Sequence, residues 1–327
     1  MARIGMNPGR GKKSDYNPAR VTACMLTYVP NQAGYFENRF DVMKLCLESL
    51  IKNTPDCDIM VFDNGSSAEV VEYLKNIYAA RRIQFLILSS TNIGKIGALQ
   101  VMLRAAPGQV IAYNDDDVFF QPGWLKRHLE VIDTYPNVGL VSGFYIKPHM
   151  KEGIVSVEKF IKQKDVKVER GNLIDRAEEE HYITNMGRTW EKYQGEIAGL
   201  EDIRLTYKGV TTFASAGHYQ FVAPREAILS ALPAAWSSDL MGHMRDLDVR
   251  IDQLGFLRLC TYPSTLRLLG NQINEEAANL YRAQGFDVTG SQLIEEKVSP
   301  LARLYRWTPV RKVAYFFYNR LFKIINA

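Results

Sequence analysis

The stretch VTACMLTYVPNQAGYFENRFDVMKLCLESLIKNTPDCDIMVFDNG, residues 21–65, carries the reading on which the fold turns. Its first eight residues are a mostly apolar run, the pattern of a strand covered on both faces in a parallel sheet. A polar loop follows, and then Phe40, Met43, Leu47, Leu50 and Ile51 recur at helical spacing until Pro55 closes the helix. A second apolar strand, 58–62, runs into the turn Asp63-Asn64-Gly65. Strand, helix and strand in this order predict a right-handed βαβ unit.

The same unit repeats outward. A helix is expected over 68–78 with Val70, Val71, Leu74 and Ile77 inward, a strand over 83–88 and a helix near 95–105. A fourth strand, 109–113, runs into Asn114-Asp115-Asp116-Asp117, and Pro122-Gly123-Trp124 opens a helix carrying Leu125, Leu129 and Ile132. This alternation predicts an α/β fold with a Rossmann-like, mainly parallel sheet flanked by helices. Residues 148–208 are highly charged and weakly periodic, as expected of an insertion, an acceptor-side subdomain or a solvated helical excursion. Strand character returns over 210–223, with a helix expected near 239–254 and a strand around 256–262. The expected organisation is a mobile basic arm (1–19), a main domain (20–270) and a C-terminal helical appendage (271–327). Within the main domain, halves at 20–147 and 209–270 flank the insertion.

Of the 327 residues, 46% are apolar and 23% charged, which excludes a disordered chain, a collagen-like repeat and a multi-span membrane protein. The net charge of +4 is unevenly spread: residues 1–20 carry +4, residues 297–327 carry +7 with no acid, and the body between them carries −7. Cys24, Cys46, Cys57 and Cys260 are widely spaced and read as reduced thiols, not a disulfide frame or zinc site. The N-terminus shows no apolar leader, and no run approaches the roughly 18 apolar residues that cross a bilayer. A cytoplasmic body is therefore expected.

In open parallel sheets, ligands bind beyond the carboxyl ends of the strands. The residues that follow the four strands are Thr27-Tyr28, Asp63-Asn64-Gly65, Asn92 with Gly94, and Asp115-Asp116-Asp117. An aromatic ring, a lone carboxylate, a glycine-containing turn and a carboxylate cluster suit a nucleotide diphosphate. If the fourth strand stays extended, Asp115 and Asp117 share a face roughly 6.6 Å apart while Asp116 points away. Their oxygens favour Mg²⁺ or Mn²⁺.

These motifs resemble the family 2 glycosyltransferases, which have the GT-A fold. Thr27-Tyr28 is similar to the family's Thr-Tyr, and Asp63-Asn64-Gly65-Ser66-Ser67 to its Asp-Asp/Asn-Gly-Ser-Ser turn. Asn92-Ile93-Gly94-Lys95-Ile96-Gly97-Ala98 resembles Asn-x-Gly-x-x-Gly-Ala, and Asp115-Asp116-Asp117 resembles the D-x-D motif. The resemblance covers 21–147 well and 210–270 loosely. It implies an inverting transfer from a nucleotide-diphosphate sugar, with uracil as the base, to a hydroxyl of a glycan or lipid-linked glycan. Donor contacts are implied at Thr27, Tyr28, Asp63, Asn92, Gly94, Lys95, Asp115 and Asp116, and metal ligation at Asp115 and Asp117. The family's Glu-Asp pair is missing from His243-Met244-Arg245-Asp246-Leu247-Asp248-Val249-Arg250. Asp246 is the preferred general base, with His243 and Asp248 as rivals. Nor does Leu266-Arg267-Leu268-Leu269-Gly270-Asn271 supply the His that relatives place there, so Arg267 could hold phosphate instead. His218 reads first as a packed, non-catalytic residue. Two other readings remain: a catalytically silent GT-A-like binding protein, and a nucleotidyltransferase of related fold.

Over 310–325, Val310, Val313, Ala314, Phe317, Leu321, Phe322, Ile324 and Ile325 fall on one helical side, with Arg311, Lys312, Arg320 and Lys323 opposite. An amphipathic tail of aromatic and basic residues without acids suits an anionic membrane surface, on the inner face of a membrane for a cytoplasmic body. A helix docked on the body or a homo-oligomer contact would use the same pattern; nucleic acid is disfavoured, since no recognition motif accompanies the charge. Flotation with anionic liposomes is expected for the full chain and not for a chain lacking 297–327. Equal flotation of the two would remove the membrane reading.

Overall fold

The computed structural model describes residues 5–237, 239–273, 275–288 and Arg320. In chain order its first half comprises β1 (Val21–Thr27), α1 (Arg39–Asn53), β2 (Asp58–Asp63), α2 (Ala68–Ala79), β3 (Phe85–Leu88) and α3 (Gly94–Ala105). These are followed by β4 (Val110–Asp115), β5 (Val118–Phe120), α4 (Trp124–Thr134) and β6 (Val138–Ser142). The second half runs α5 (Val155–Phe160), β7 (Val166–Gly171), α6 (Arg176–Asn185), α7 (Trp190–Ile197), β8 (Asp202–Tyr207) and β9 (Val210–Ala214). It ends with β10 (Gln220–Pro224), α8 (Arg225–Ala231), α9 (Met244–Gln253), β11 (Leu257–Thr261), β12 (Leu266–Leu268) and α10 (Glu275–Ala283).

Ten strands form one sheet in the order β3-β2-β1-β4-β10-β6-β11-β9-β8-β7. The pairings make β3, β2, β1, β4, β6, β11 and β8 run one way, against β10, β9 and β7. The expectation of a mainly parallel α/β sheet is met. Period-two burial explains why its central strands read as continuous apolar runs. Val21, Ala23 and Met25 of β1 enter one core with α1 and α2, while Cys24 and Leu26 enter the other with α3, α8 and α9. Ile59/Val61 against Met60/Phe62, and Val110/Ala112 against Ile111/Tyr113, divide in the same way. All four cysteines are free, and Cys24, Cys46 and Cys260 are buried.

Three features depart from the sequence reading. Strand β6 was not anticipated. It is short, and its Gly139 lies where a Cβ would come within 2.6 Å of Ile251 and Phe256, so the glycine permits close packing under α9. The charged segment 148–208 supplies two sheet strands, β7 and β8, and not merely helices. β7 is the sheet edge, which accounts for its charged Lys167, Glu169 and Arg170. Buried Asp202 ties the rest of this segment down, accepting from Leu173 N at 2.8 Å and Tyr145 Oη at 3.1 Å, with Lys147 Nζ at 3.4 Å.

Residues beyond Gly270 are not simply an appendage. Among the described residues none beyond Gly270 joins the ten-stranded sheet, but Ile273, Ala278, Tyr281, Phe286 and Val288 pack into the core of α1 and α2. Tyr281 stacks on Phe119 at 4.2 Å between ring centroids. The membrane-surface expectation for 297–327 lies, Arg320 apart, outside the described residues. Among the described residues no helix is long and apolar enough to cross a membrane.

His128, on α4, is fully buried, with Nδ1 2.8 Å from the Trp124 carbonyl. Burial lowers its pKa from 6.5 to about 4. Protonation therefore favours the unfolded chain. The His128 contribution to stability is whole above about pH 6.5 and is lost as pH falls towards 4. Urea unfolding should report a loss of roughly 3 kcal/mol from this group between pH 7.5 and 4.5. His128→Gln should show a correspondingly smaller drop; an unchanged drop would remove His128 as its source.

Candidate functional site

The carboxyl ends of β1, β2 and β4 meet at one edge of the sheet, beside the start of α3. Asp63 closes β2 with a turn in which its carboxylate accepts from Gly65 N at 3.3 Å and Ser66 N at 3.2 Å. Burial raises the Asp63 pKa, although the hydrogen bonds from Ser66 and Gly65 pull it down. Gly65 has φ +86°, and a Cβ there would stand 2.7 Å from the Thr91 carbonyl carbon, so only glycine fits. Asn64 joins this turn to the next. Its Nδ2 donates to Asn92 Oδ1 at 3.0 Å, and its Oδ1 accepts from Ile93 N at 2.9 Å. Asn92 Oδ1 also accepts from Gly94 N at 2.8 Å, at the first residue of α3.

Lys95 bridges from α3 to β4, with Nζ 2.7 Å from Asp115 Oδ2. Asp115 Oδ1 accepts from Tyr113 Oη at 2.5 Å. Thr27 Oγ1 donates to Asp116 Oδ2 at 2.6 Å, and Tyr28 N approaches the same oxygen at 3.4 Å. The Tyr28 ring meets Phe36 edge-on at 5.8 Å. Arg39, at the start of α1, completes the cluster. Its guanidinium bonds Asp116 Oδ1, Asp117 Oδ2 (3.1 Å) and the Gly270 carbonyl (3.1 Å).

The expected strand alternation stops one residue early. β4 ends at Asp115, and Asp116-Asp117 form a turn into β5. Asp116 and Asp117 are therefore drawn together by Arg39, while Asp115 pairs separately with Lys95. The picture of Asp115 and Asp117 on one face with Asp116 turned away is thus corrected. Among the described residues, no group of three His, Cys, Asp or Glu is preassembled at metal-ligand spacing. The local charge remains strained. Burial raises the Asp117 pKa to about 6; Arg39 opposes the rise, and Asp115 and Asp116 add to it. Burial also works against the Arg39 charge, but Asp116 and Asp117 more than offset it.

The antiparallel β12–β5 ribbon sets Leu269 N 2.7 Å from the Asp117 carbonyl. No histidine lies within 266–271, but His181 of α6 reaches this segment, its Nε2 2.9 Å from the Leu268 carbonyl. Arg267 Nη2 is 3.4 Å from His181 Nδ1. On the other side, Lys95 N donates to the Leu240 carbonyl at 2.8 Å, and Trp236 packs over Gly97 while staying 57% exposed.

The three candidate bases separate. His243 and Asp246 are exposed on the first turn of α9, with His243 Nε2 3.7 Å from Asp239. Asp248 faces inward and is buried, its Oδ2 2.7 Å from His218 Nδ1. Sequence reasoning missed Arg39 and did not anticipate the pairing of His218 with Asp248. The available signal for Arg39 was a basic residue opening an amphipathic helix, in a chain whose triple aspartate needed a partner to offset its repulsion.

Residues 36–188 match the family model of glycosyl transferase family 2. This family-matched segment holds Arg39, Asp63, Asn92, Lys95 and Asp115–Asp117, whereas His218 and α9 lie beyond it. No curated protein matches the chain. Solved structures that it resembles include mannosyltransferase PcManGT from Pyrobaculum calidifontis, in complex with GDP-Man and Mn²⁺. That match has 21% identity and a TM-score of 0.33, over 42% of this chain and 40% of that one. TarS 1–349 of S. aureus matches at 13% identity and a TM-score of 0.41, over 74% of this chain and 60% of that one. GalNAc-T7 with UDP, GalNAc and Mn²⁺ matches at 14% identity and a TM-score of 0.46, over 89% and 55%. The chain thus spans from two fifths to three fifths of the length of these structures.

Removing Arg39 strands the buried Asp116 carboxylate and the half-buried Asp117 carboxylate. Arg39→Met should lower stability at neutral pH by about 3–5 kcal/mol in chemical unfolding. Adding Asp116→Asn should recover part of that loss. Strictly additive effects in this double-mutant cycle would disprove the coupling.

Proposed function

We propose that the chain is an inverting, metal-dependent glycosyltransferase acting on a nucleotide-diphosphate sugar. The observation that carries this reading is the convergence of four strand-end motifs on one bonded surface. Asn64 ties the Asp63 turn to Asn92 and Gly94, Lys95 ties α3 to Asp115, and Asp116 ties Thr27 to Arg39. Such a surface suits a ligand with an aromatic base at one end and a diphosphate at the other. Asp63 is the acceptor for a base N–H, uracil being the preferred base, and Tyr28 supplies an aromatic face. Thr27, Asn92 and Gly94 line the path between base and phosphates. Lys95, freed from Asp115, supplies positive charge to the diphosphate.

The carboxylates fit a divalent cation. Among the described residues the ion-pair partners of Asp115, Asp116 and Asp117 are Lys95 and Arg39, two cations against three acids, which leaves an excess negative charge on hard oxygen donors. Asp115 and Asp117 would hold Mg²⁺ or Mn²⁺, and Asp116 would stay with Thr27 and Arg39 to fix the turn. The ion would supply neutralisation of the charge that develops on the departing diphosphate. The acceptor is a hydroxyl of a glycan or lipid-linked glycan, for which a tail seated on anionic lipid would bring the chain to its substrate.

Calorimetry with UDP, GDP and ADP tests the donor side. UDP with Mn²⁺ should bind most tightly, and chelation of the metal should weaken it at least about tenfold, or 1.4 kcal/mol. Asp115→Asn and Asp117→Asn should each reproduce the effect of chelation. UDP affinity unchanged in both variants would refute this assignment of the carboxylates.

A further inference from the structure

An inverting transfer needs a group to accept the proton of the attacking hydroxyl. The exposed positions of His243 and Asp246 leave them unsupported by any buried partner on α9. A different pair is built into the floor beside them. His218 lies two residues before β10 and is only 6% exposed. Its Nδ1 lies 2.7 Å from Asp248 Oδ2, a carboxylate that is itself 4% exposed. Among the described residues, no hydrogen bond reaches His218 Nε2. Among the described residues Asp248 Oδ1 is buried without a hydrogen-bond partner, and the carboxylate's polar contacts are made through Oδ2, with His218 and with Arg258 Nη2 at 3.6 Å.

The pair adjoins the carboxylate cluster. Tyr219, the next residue, accepts at its carbonyl from Asp115 N at 3.0 Å. Its ring lies 4.4 Å from the His218 ring and 5.8 Å from Lys95 Nζ. His149 stacks on His218 at 5.8 Å, and burial lowers the His149 pKa to about 3, so this neighbour is neutral at ordinary pH. Other charged groups here include Arg188, which acts electrostatically on Tyr219, Arg245 of α9, which acts on both Tyr219 and His149, and Arg258 of β11 behind Asp248.

We propose that His218, oriented by Asp248, is the general base of the transfer, in place of the carboxylate pair that α9 lacks. This inference rests on the transferase reading above. Asp248 holds the Nδ1–H tautomer, which leaves the Nε2 lone pair to accept a proton. As the acceptor oxygen bonds to the anomeric carbon, the bond from that carbon to the diphosphate oxygen breaks. The bonding pair leaves with the diphosphate, and the hydroxyl proton moves to Nε2. Asp248 then faces an imidazolium, a charge it stabilises, and the proton later passes to solvent. His218 is the catalytic residue and Asp248 its positioning residue.

The full-length chain with Mn²⁺ is assayed for release of nucleoside diphosphate from UDP-glucose, UDP-N-acetylglucosamine and GDP-mannose, with water as acceptor. Binding of UDP is measured on the same samples. His218→Ala should cut release about 100-fold or more, leave UDP affinity within about twofold, and recover part of its activity with added imidazole. Asp248→Asn should cut release about tenfold or more, also without loss of UDP affinity. If His218→Ala fails to bind UDP, His218→Asn, which keeps an N–H donor towards Asp248, carries the same comparison. Release within about twofold of wild type in the variant that binds UDP, or a loss that imidazole does not relieve in His218→Ala, overturns the inference while the transferase reading stands. Failure of the wild-type chain to release nucleotide from all three donors overturns the transferase reading instead, and the inference with it.

Discussion

The guanidinium of Arg39 is the constraint around which this edge of the protein is arranged. Three consecutive carboxylates at the end of a buried strand would repel one another and disfavour the turn between β4 and β5. Arg39 offsets this by bonding two of them and the Gly270 carbonyl at once. Its position follows from α1, whose apolar residues Phe40, Met43 and Leu47 lock the helix against β1 and leave its first residue at the strand ends. Packing energy in one layer thus positions a charge in another.

A single antiparallel strand gives the site its second wall. β10 lies between β4 and β6, so the residues leading into it approach the carboxyl end of β4 from the opposite direction. This reversal brings His218 and Tyr219 beside Asp115, although about 100 residues separate them in sequence. α9 packs against β6 and β11 and brings Asp248 to His218. Parallel strands therefore supply one side of the candidate site, and the antiparallel strand with the neighbouring helix supplies the other.

Much of the first half was legible because local rules and global fold agree there. β1, β2 and β4 read as apolar runs since both faces are covered, and the turn glycine at 65 has no alternative. Legibility failed where a residue's role depends on distant partners. Arg39 reads as an ordinary helical arginine until Asp116 and Gly270 stand beside it, and His218 reads as a packed histidine until Asp248 is placed. β7 was obscured by the charges suited to an edge, and β6 by its brevity and Gly139. The side chains of the triple aspartate were misdirected because the strand ends at its first member, and hydrophobic periodicity carries no mark of where a strand yields to a turn.

The contact from Arg39 to Gly270 has a consequence for biosynthesis. The two residues are separated by 231 positions, and the core behind the contact is finished only by Tyr281, Phe286 and Val288. On the ribosome, the carboxylate turn is made long before the chain segment that helps to anchor its counter-charge. A truncated or nascent chain would carry the triple aspartate without the carbonyl that anchors Arg39 and without the aromatic stack on Phe119. The arrangement ties the finished setting of the carboxylate turn to synthesis of the segment from Gly270 to Val288, so that fragments lacking it would carry the motif without its supporting contacts.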